Sequence, residues 1–526
     1  MIEEILERLS LKSIAVAFIS AFALLGITKW LNNERKIRAL GGHTRRQPTW
    51  FPFDAEIIVR AVYATTHYKD VECWTRWFTT PKGMDYTFEA SPFGRRMILT
   101  AEPENIKAIL ASQFTAYGKG EPFHREWKAF LGDSIFTTDQ EQWHNSRQLL
   151  RPQFIKDRVS DLDVFEEHVQ ILMEHMTKAG RYWDGRQGKE FDLSDLFFRY
   201  TLDAATHFLL GRSAGSLENP ELEFADAFAE IQRIQNFLAR AGPPKKFFPR
   251  TTFNKKLKIL NEFVNPFIDD TLRLTPEELA TKTKSEEGYT FLHALAGFTR
   301  DRQVLRDQLV AVLLAGRDTT ASTLSWIFYE LAKHPEIYQK LRKQIIDRVG
   351  LHRAPTYDDL KSMKYLQNVM HETLRLYPVV PFNLRLALHD TTLPLGGGPD
   401  GLSPLGILKD DIVTYSTLIM QRRPDLTPNA LSFSPERWDT WQPKPWTYIP
   451  FNGGPRICIG QQFALTEMGY TVVRLLQRFS ALESRMGPVD GGSPCLKAEI
   501  VLQPGQGVLV SFVEGEGKGE EGGDSG

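Results

Sequence analysis

Apolar residues fall along this chain in three patterns, and each predicts a different element. From Ser13 to Thr28 no charged residue occurs, and Leu11, Trp30 and Leu31 extend the run to nearly the roughly 20 residues that span a bilayer. Lys12 and Lys29 flank it, where long side chains can snorkel to the interface. Between about Val159 and Tyr365 apolar positions recur with helical spacing, and the stretch LVAVLLAGRDTTASTLSWIFYEL (Leu309–Leu331) is apolar nearly all round, as expected of a helix buried through a domain. From Thr391 to Val413 and from Leu496 to Phe512, short alternating runs broken by turns such as Gly396-Gly397-Gly398 predict strands. The fold class is therefore mainly α with a smaller β part, preceded by one N-terminal transmembrane helix.

The same patterning divides the chain into an anchor over 1–31, a connector over 32–55 marked by Gly41, Gly42 and Pro48, one large domain over 56–512, and a tail over 513–526 too polar to bury apolar area. A cleaved signal peptide is the alternative for the first segment. Its flank is mainly acidic, however (Glu3, Glu4, Glu7), and no small-x-small cleavage site follows. Arg35, Lys36, Arg38, Arg45 and Arg46 follow the run and orient the rest of the chain to the cytoplasmic side, which in a eukaryotic cell means the endoplasmic reticulum surface.

With 64 basic and 65 acidic residues the chain has no general electrostatic case for nucleic acid. Three scattered cysteines, Cys73, Cys458 and Cys495, form neither a disulfide framework nor a Cys-rich zinc site. One of them has a distinctive setting. FNGGPRICIG (Phe451–Gly460) places Cys458 in a Gly/Pro-rich loop just before a helical run from Gln461 to Phe479. A helix N-terminus favours thiolate over thiol, Gly453, Gly454 and Gly460 allow close approach to a flat ligand, and Arg456 supplies a nearby cation. A small buried structural cysteine is the alternative.

Two further clusters carry chemistry. Within the apolar helix, Arg317 and Asp318 interrupt the run and Thr319 follows; Gly316 and Thr319 are poor helix formers there and predict a local opening for a small ligand. An acid beside a hydroxyl can relay protons, whereas an internal ion pair with a back-bonding threonine is the structural alternative. Glu372 and Arg375 in HETLRLYP lie on one face of a helix ending before Pro378, a spacing also common in ordinary surface ion pairs.

The spacing Phe-x-x-Gly-x-Arg-x-Cys-x-Gly, matched at Phe451, Gly454, Arg456, Cys458 and Gly460, resembles the cytochrome P450 superfamily. The resemblance implies haem b (iron protoporphyrin IX), with Cys458 as the iron ligand. AGRDTT resembles the family's oxygen-activation motif, implying that Ala315 and Gly316 border the cofactor and that Asp318 and Thr319 deliver protons. Glu372, Arg375 and Arg437 resemble its structural triad. Trp143 with Arg147 in EQWHNSR, and Arg385 in PFNLR, resemble its propionate clamps; surface arginines are the alternative. The basic segment Arg125–Arg158 surrounds Trp143 and is a candidate dock for an acidic reductase.

AGRDTTA, TTLPLGGGPDG, FNGGPRICIGQQFALTE and VVRLLQ look like fungal membrane-bound hydroxylases of n-alkanes and fatty acids. That likeness implies terminal hydroxylation of a long aliphatic chain, with Phe382 and Leu384 as candidate substrate contacts. A fungal secondary metabolite or other lipophilic substrate is the alternative, and a peroxide isomerase or dehydratase, or a non-catalytic haem- or lipid-binding membrane protein, are more distant readings. No G-x-G-x-x-G fingerprint is evident, so electrons are expected from NADPH through a separate cytochrome P450 reductase, with O2 and a lipophilic substrate as the other partners.

Overall fold

The longest helix of the catalytic domain, Arg302–Lys333, starts where Asp301 accepts hydrogen bonds from the backbone N–H groups of Gln303 (2.8 Å) and Val304 (3.1 Å). That carboxylate satisfies two donors a helix start otherwise leaves free. It ends at His334, before Pro335 opens the next helix, Pro335–Val349. In the computed structural model, which describes residues 11–51, 54–81, 83–154, 162–180, 190–284 and 290–514, this helix is buried along most of its length. Helices Leu193–Leu210, Thr251–Arg273, Lys364–Leu376 and Gln461–Arg478 pack around it. Its all-round apolarity is the sequence image of this central position.

The β part lies mostly to one side. A five-stranded sheet runs in the order Thr87–Ala90, Met97–Thr100, Ile412–Ser416, Phe382–Ala387, Tyr117–Gly118, antiparallel except where Met97–Thr100 meets Ile412–Ser416. The predicted strand region 391–413 resolves into Thr391–Gly397, Ser403–Ile407 and Ile412–Ser416, and 496–512 into Leu496–Ala498, Leu502–Pro504 and Leu509–Glu514. One apolar core surrounds the central helix and the helix after Cys458; another lies against the five-stranded sheet.

Two predicted boundaries shift. The N-terminal helix runs over Leu11–Ala39, beyond the expected end at residue 31, and Ala15–Ala39 is long and apolar enough to cross a membrane while none of its apolar window is buried. The polar residues after Leu31 stay helical because Arg38 pairs with Glu34 one turn earlier (2.7 Å) and Ile37 is buried. A Cβ on Gly406 would lie 2.5 Å from the Ile37 carbonyl oxygen, so glycine permits this helix end to rest on the strand Ser403–Ile407. The expected connector is thus part of the domain: Arg46 bridges to Glu89 and the Gly406 N–H donates to the Gly42 carbonyl (3.0 Å). At the other end the last strand reaches Glu514, two residues into the expected tail, and 515–526 lie outside the described residues.

Glu372 joins two parts of the chain. Its buried carboxylate accepts from the buried Arg375 (2.8 and 2.9 Å) and from the partly buried Arg437 Nε (3.2 Å), Trp438 Nε1 (3.0 Å) and Ser434 N–H (3.0 Å). Arg375 also donates to the carbonyls of Ala430 and Ser432, fastening the loop that leads to the cysteine segment. Removing one partner of such a buried network leaves uncompensated charge and costs about 3–5 kcal/mol. Glu372→Ala is therefore expected to lower the thermal midpoint sharply and reduce haem per purified chain, with Glu372→Gln intermediate; an unchanged melting curve for Glu372→Ala would contradict this role.

Candidate active site

The cysteine loop is positioned by backbone contacts. The Cys458 N–H donates to the Phe451 carbonyl (3.0 Å), closing the loop just before the helix Gln461–Arg478. Gly454 adopts a left-handed φ of 65°, and a Cβ there would sit 1.9 Å from the Leu110 carbonyl oxygen. A Cβ on Gly453 would meet the Trp446 ring at 2.6 Å. These two glycines therefore admit neighbouring protein closely. Phe451 packs against the main core from the start of the loop.

Cys458 is exposed, yet enough protein surrounds it that desolvation raises its thiol pKa, opposed by the Gly460 backbone N–H and the Arg147 charge. Both observations describe a thiol in a recess that solvent can enter. The cation expected from Arg456 is directed elsewhere: its guanidinium donates to Asp139 (2.6 Å) and the Thr138 carbonyl (2.9 Å) and lies 4.7 Å from the Trp143 ring centre. Arg147 instead donates to the carbonyl of Ile457, next to the cysteine (2.9 Å).

On the central helix, Val312, Ala315, Gly316 and Thr319 are only partly buried while most of their neighbours are fully so. Their spacing of 0, 3, 4 and 7 puts them on one stripe. This is the face of an otherwise buried helix that remains accessible. The helix itself stays α-helical throughout, so the predicted opening is absent in this conformation. Thr319 Oγ1 donates to the Ala315 carbonyl (2.6 Å), and a Cβ on Gly316 would touch Ala205 at 3.7 Å. Asp318 lies in a dry environment: burial raises its pKa, opposed by Arg317 (3.1 Å) and by a hydrogen bond to Gln232. Arg317 is buried with its guanidinium 5.4 Å from the rings of both Phe198 and Phe228. The ion pair and back-bonding threonine that sequence offered as the structural alternative are therefore both formed. They leave the hydroxyl lone pairs and a protonatable carboxyl on adjacent residues.

Near the cysteine loop, cations gather in excess. Arg456 is pushed down to about 10 by burial and by Arg385, with Arg147 adding to the repulsion, and Asp139 opposes this. Lys119, which sequence reading missed, is lowered well below the usual lysine value by burial and by the charges of Arg385 and Arg456. Asp139 is the carboxylate that opposes this charge: it pairs with Arg456 (2.6 Å) and accepts from the Lys119 and Gly120 N–H groups. Arg456 Nε has no hydrogen-bond partner among the described residues. Such uncompensated positive charge calls for anions, and the two propionates of a haem fit it. Trp143, buried beneath Arg456, and Arg385, buried beside Tyr415, line the cluster. The signal for Lys119 was weak because a single lysine in YGKG has no informative spacing.

Glu467 was also missed. It lies on the helix after Cys458, is buried, and is pushed up to about 8 by desolvation, opposed by a hydrogen bond with Thr320, the neighbour of Thr319. Phe382 lies tilted against Trp74 (4.2 Å between ring centres) and packs against both the helical and the sheet cores, and Leu384 is partly buried on the same strand. A separate cavity of about 190 Å³ near Phe267 and Thr271 includes none of the residues discussed here.

A mainly helical domain with a cysteine loop, an adjacent buried helix carrying an Asp-Thr pair and a cation-rich recess defines a haem-thiolate oxidoreductase. The cytochrome P450 family profile matches residues 82–507, and the chain belongs to that family. It is 48% identical over 517 residues to cytochrome P450 monooxygenase pvhE of Talaromyces variabilis, covering 95% of this chain and 96% of that one. It is 44% identical to cytochrome P450 52A1 of Candida tropicalis, covering 80% and 78%, and 41% identical to cytochrome P450 52A4 of Candida maltosa, covering 78% of each. The crystal structure of the cytochrome P450DA haem domain superposes with a TM-score of 0.73 at 21% identity, over 90% of this chain and 97% of that one, showing the same fold. The protein is a cytochrome P450 monooxygenase, and the haem its family implies would supply the activation of dioxygen for insertion of one oxygen atom into a substrate.

Glu467 generates a pH prediction. Its folded pKa lies above the ordinary 4.5, so its contribution to stability is fully present below that value and is lost as pH rises through about 8. Glu467→Gln is expected to flatten this part of the stability–pH profile, measured as the thermal midpoint from pH 5 to 9. An identical pH slope in both proteins would contradict the assignment.

Proposed function

We propose that this monooxygenase hydroxylates long unbranched alkanes or fatty acids at the terminal methyl, using haem b and electrons from NADPH through NADPH–cytochrome P450 reductase. It is held at the endoplasmic reticulum by a single N-terminal span, with the catalytic domain in the cytosol. The observation that carries the lipid-phase substrate is an exposed apolar surface beyond the anchor. Trp50, Phe51, Val59, Tyr63, Phe93 and Phe247 are all exposed. The segments bearing the last four are joined through contacts of the helix Ala55–Thr66 with the turn Pro92–Gly94 and the helix Glu223–Ala241, which meets Pro243–Phe247. Exposed large apolar side chains gathered on elements that touch one another are a feature of membrane or partner surfaces. With the unburied helix Ala15–Ala39 it supports a domain resting on lipid, where such substrates concentrate.

Proton delivery is the part of the reaction the chain's own residues perform. Asp318, kept protonatable by burial, supplies the proton, and Thr319 passes it on after its hydroxyl turns from the Ala315 carbonyl. Cys458 supplies the thiolate ligand. Arg125, Arg147 and Arg151 offer basic surface to an acidic reductase. Each methylene buried by substrate contributes about 0.8 kcal/mol, so affinity rises with chain length until the pocket is full. Terminal selectivity additionally requires apolar bulk that excludes internal carbons, for which Phe382 and Leu384 are the candidates.

A second reading is a fungal secondary metabolite or other lipophilic substrate, since the relative with higher identity and fuller coverage, the Talaromyces monooxygenase, does not carry the 52A name. Incubating the reductase-reconstituted enzyme with dodecane and palmitate, and locating the new hydroxyl by mass spectrometry, separates the two. We expect terminal alcohols from the native protein and a shift to internal alcohols in Phe382→Ala. Turnover of neither compound, or mainly internal alcohols from the native protein, would overturn the substrate proposal.

A further inference from the structure

Away from the haem recess, two helices bring together three metal-ligating side chains. His168 and Glu167 are adjacent on the helix Asp163–Gly180, and His207 lies on Leu193–Leu210. His168 Nε2 is 3.1 Å from His207 Nδ1, and Glu167 Oε2 is 3.8 Å from the same nitrogen. All three ligand atoms lie within 4.8 Å of one another. We propose that Glu167, His168 and His207 form a binding site for a zinc-class divalent ion, with water completing the coordination.

The geometry fits that ion. Tetrahedral zinc with Zn–N bonds of about 2.0–2.1 Å sets its ligands about 3.3 Å apart, close to the distance between the two imidazole nitrogens. The Glu167 oxygen closes the remaining gap by side-chain rotation, because that side chain is 57% exposed. Two imidazoles and a carboxylate suit zinc, copper or nickel better than the oxygen-seeking calcium or magnesium.

The burial of His168 is the second observation. Its residue is 1% exposed and its Nδ1 has no hydrogen-bond partner among the described residues, so its ring makes its polar contact through the Nε2 that faces His207. A single His–His hydrogen bond leaves the Glu167 carboxylate at 3.8 Å from His207, beyond hydrogen-bond distance, whereas an ion would use all three lone pairs. The site remains reachable through Glu167 and the partly exposed His207.

Its consequence is mechanical. The ion would staple Asp163–Gly180 to Leu193–Leu210, and the latter packs directly on the central helix that carries Asp318 and Thr319. Metal binding should therefore stabilise the haem domain without entering the reaction.

The test uses the full-length, haem-loaded protein without a histidine tag. After equilibrium dialysis against micromolar Zn2+, zinc and iron are counted by mass spectrometry and the thermal midpoint is recorded. We expect one more zinc per haem in the native protein than in His207→Ala, a midpoint raised by zinc only in the native protein, and about tenfold weaker retention in Glu167→Gln. His207 is chosen because the buried His168 is harder to replace without harming the fold, and an unchanged iron content in His207→Ala checks folding. Should that variant lose haem, the native protein against Glu167→Gln gives the same comparison. Equal zinc in native and variant proteins, or none retained by the native protein, would overturn the proposal.

Discussion

A reactive thiol has to face a recess while the loop that carries it stays fixed, and most of the domain can be understood from that requirement. The Cys458 segment is held from below by its bond to the Phe451 carbonyl and from the side by Gly454, pressed against Leu110 so closely that only hydrogen fits. Upstream, Glu372 collects Arg375, Arg437 and Trp438 and fixes the approach to the loop. Loss of either constraint would let the sulfur move by ångströms, which a metal–ligand bond of defined length does not tolerate.

Charge supplies the second organising principle. Lys119, Arg385 and Arg456 repel one another in a partly dry setting, and Asp139 opposes this at Lys119 and Arg456. A bound anion would offset the remaining charge. Across the recess the logic reverses: Asp318 and Glu467 are both driven towards their neutral, proton-bearing forms by burial, flanking Thr319 and its neighbour Thr320. The same low dielectric therefore keeps cations waiting for propionates and acids holding protons.

How much of this was readable in the sequence depended on whether a function imposed a spacing. The cysteine loop, the Asp318-Thr319 pair and the Glu372-Arg375 pair are short-range patterns on single elements, and their positions in the chain order resembled one family. The long apolar run predicted the central helix because burial on all sides removes polar alternation. Lys119, Asp139 and Glu467 escaped notice since each acquires its role from residues hundreds of positions away or from desolvation, neither of which leaves a local signature. The helix end near Ala39 was misplaced for a related reason. Its polar residues look like linker until Ile37 meets Gly406, a contact set by tertiary structure. The two glycines of the cysteine loop were noticed for their flexibility, but their close contacts with Leu110 and Trp446 are set by tertiary structure and leave no local pattern.

The central claim is that Cys458 binds the haem iron as a thiolate. The most direct measurement is the spectrum of the reduced, carbon monoxide-bound protein in native and Cys458→Ala forms, with haem content determined in parallel. The native protein should give the red-shifted thiolate-type band, and the variant, even where it retains haem through Trp143, Arg147, Arg385 and Arg456, should lose it entirely. A Cys458→Ala protein that kept the thiolate band would contradict the account.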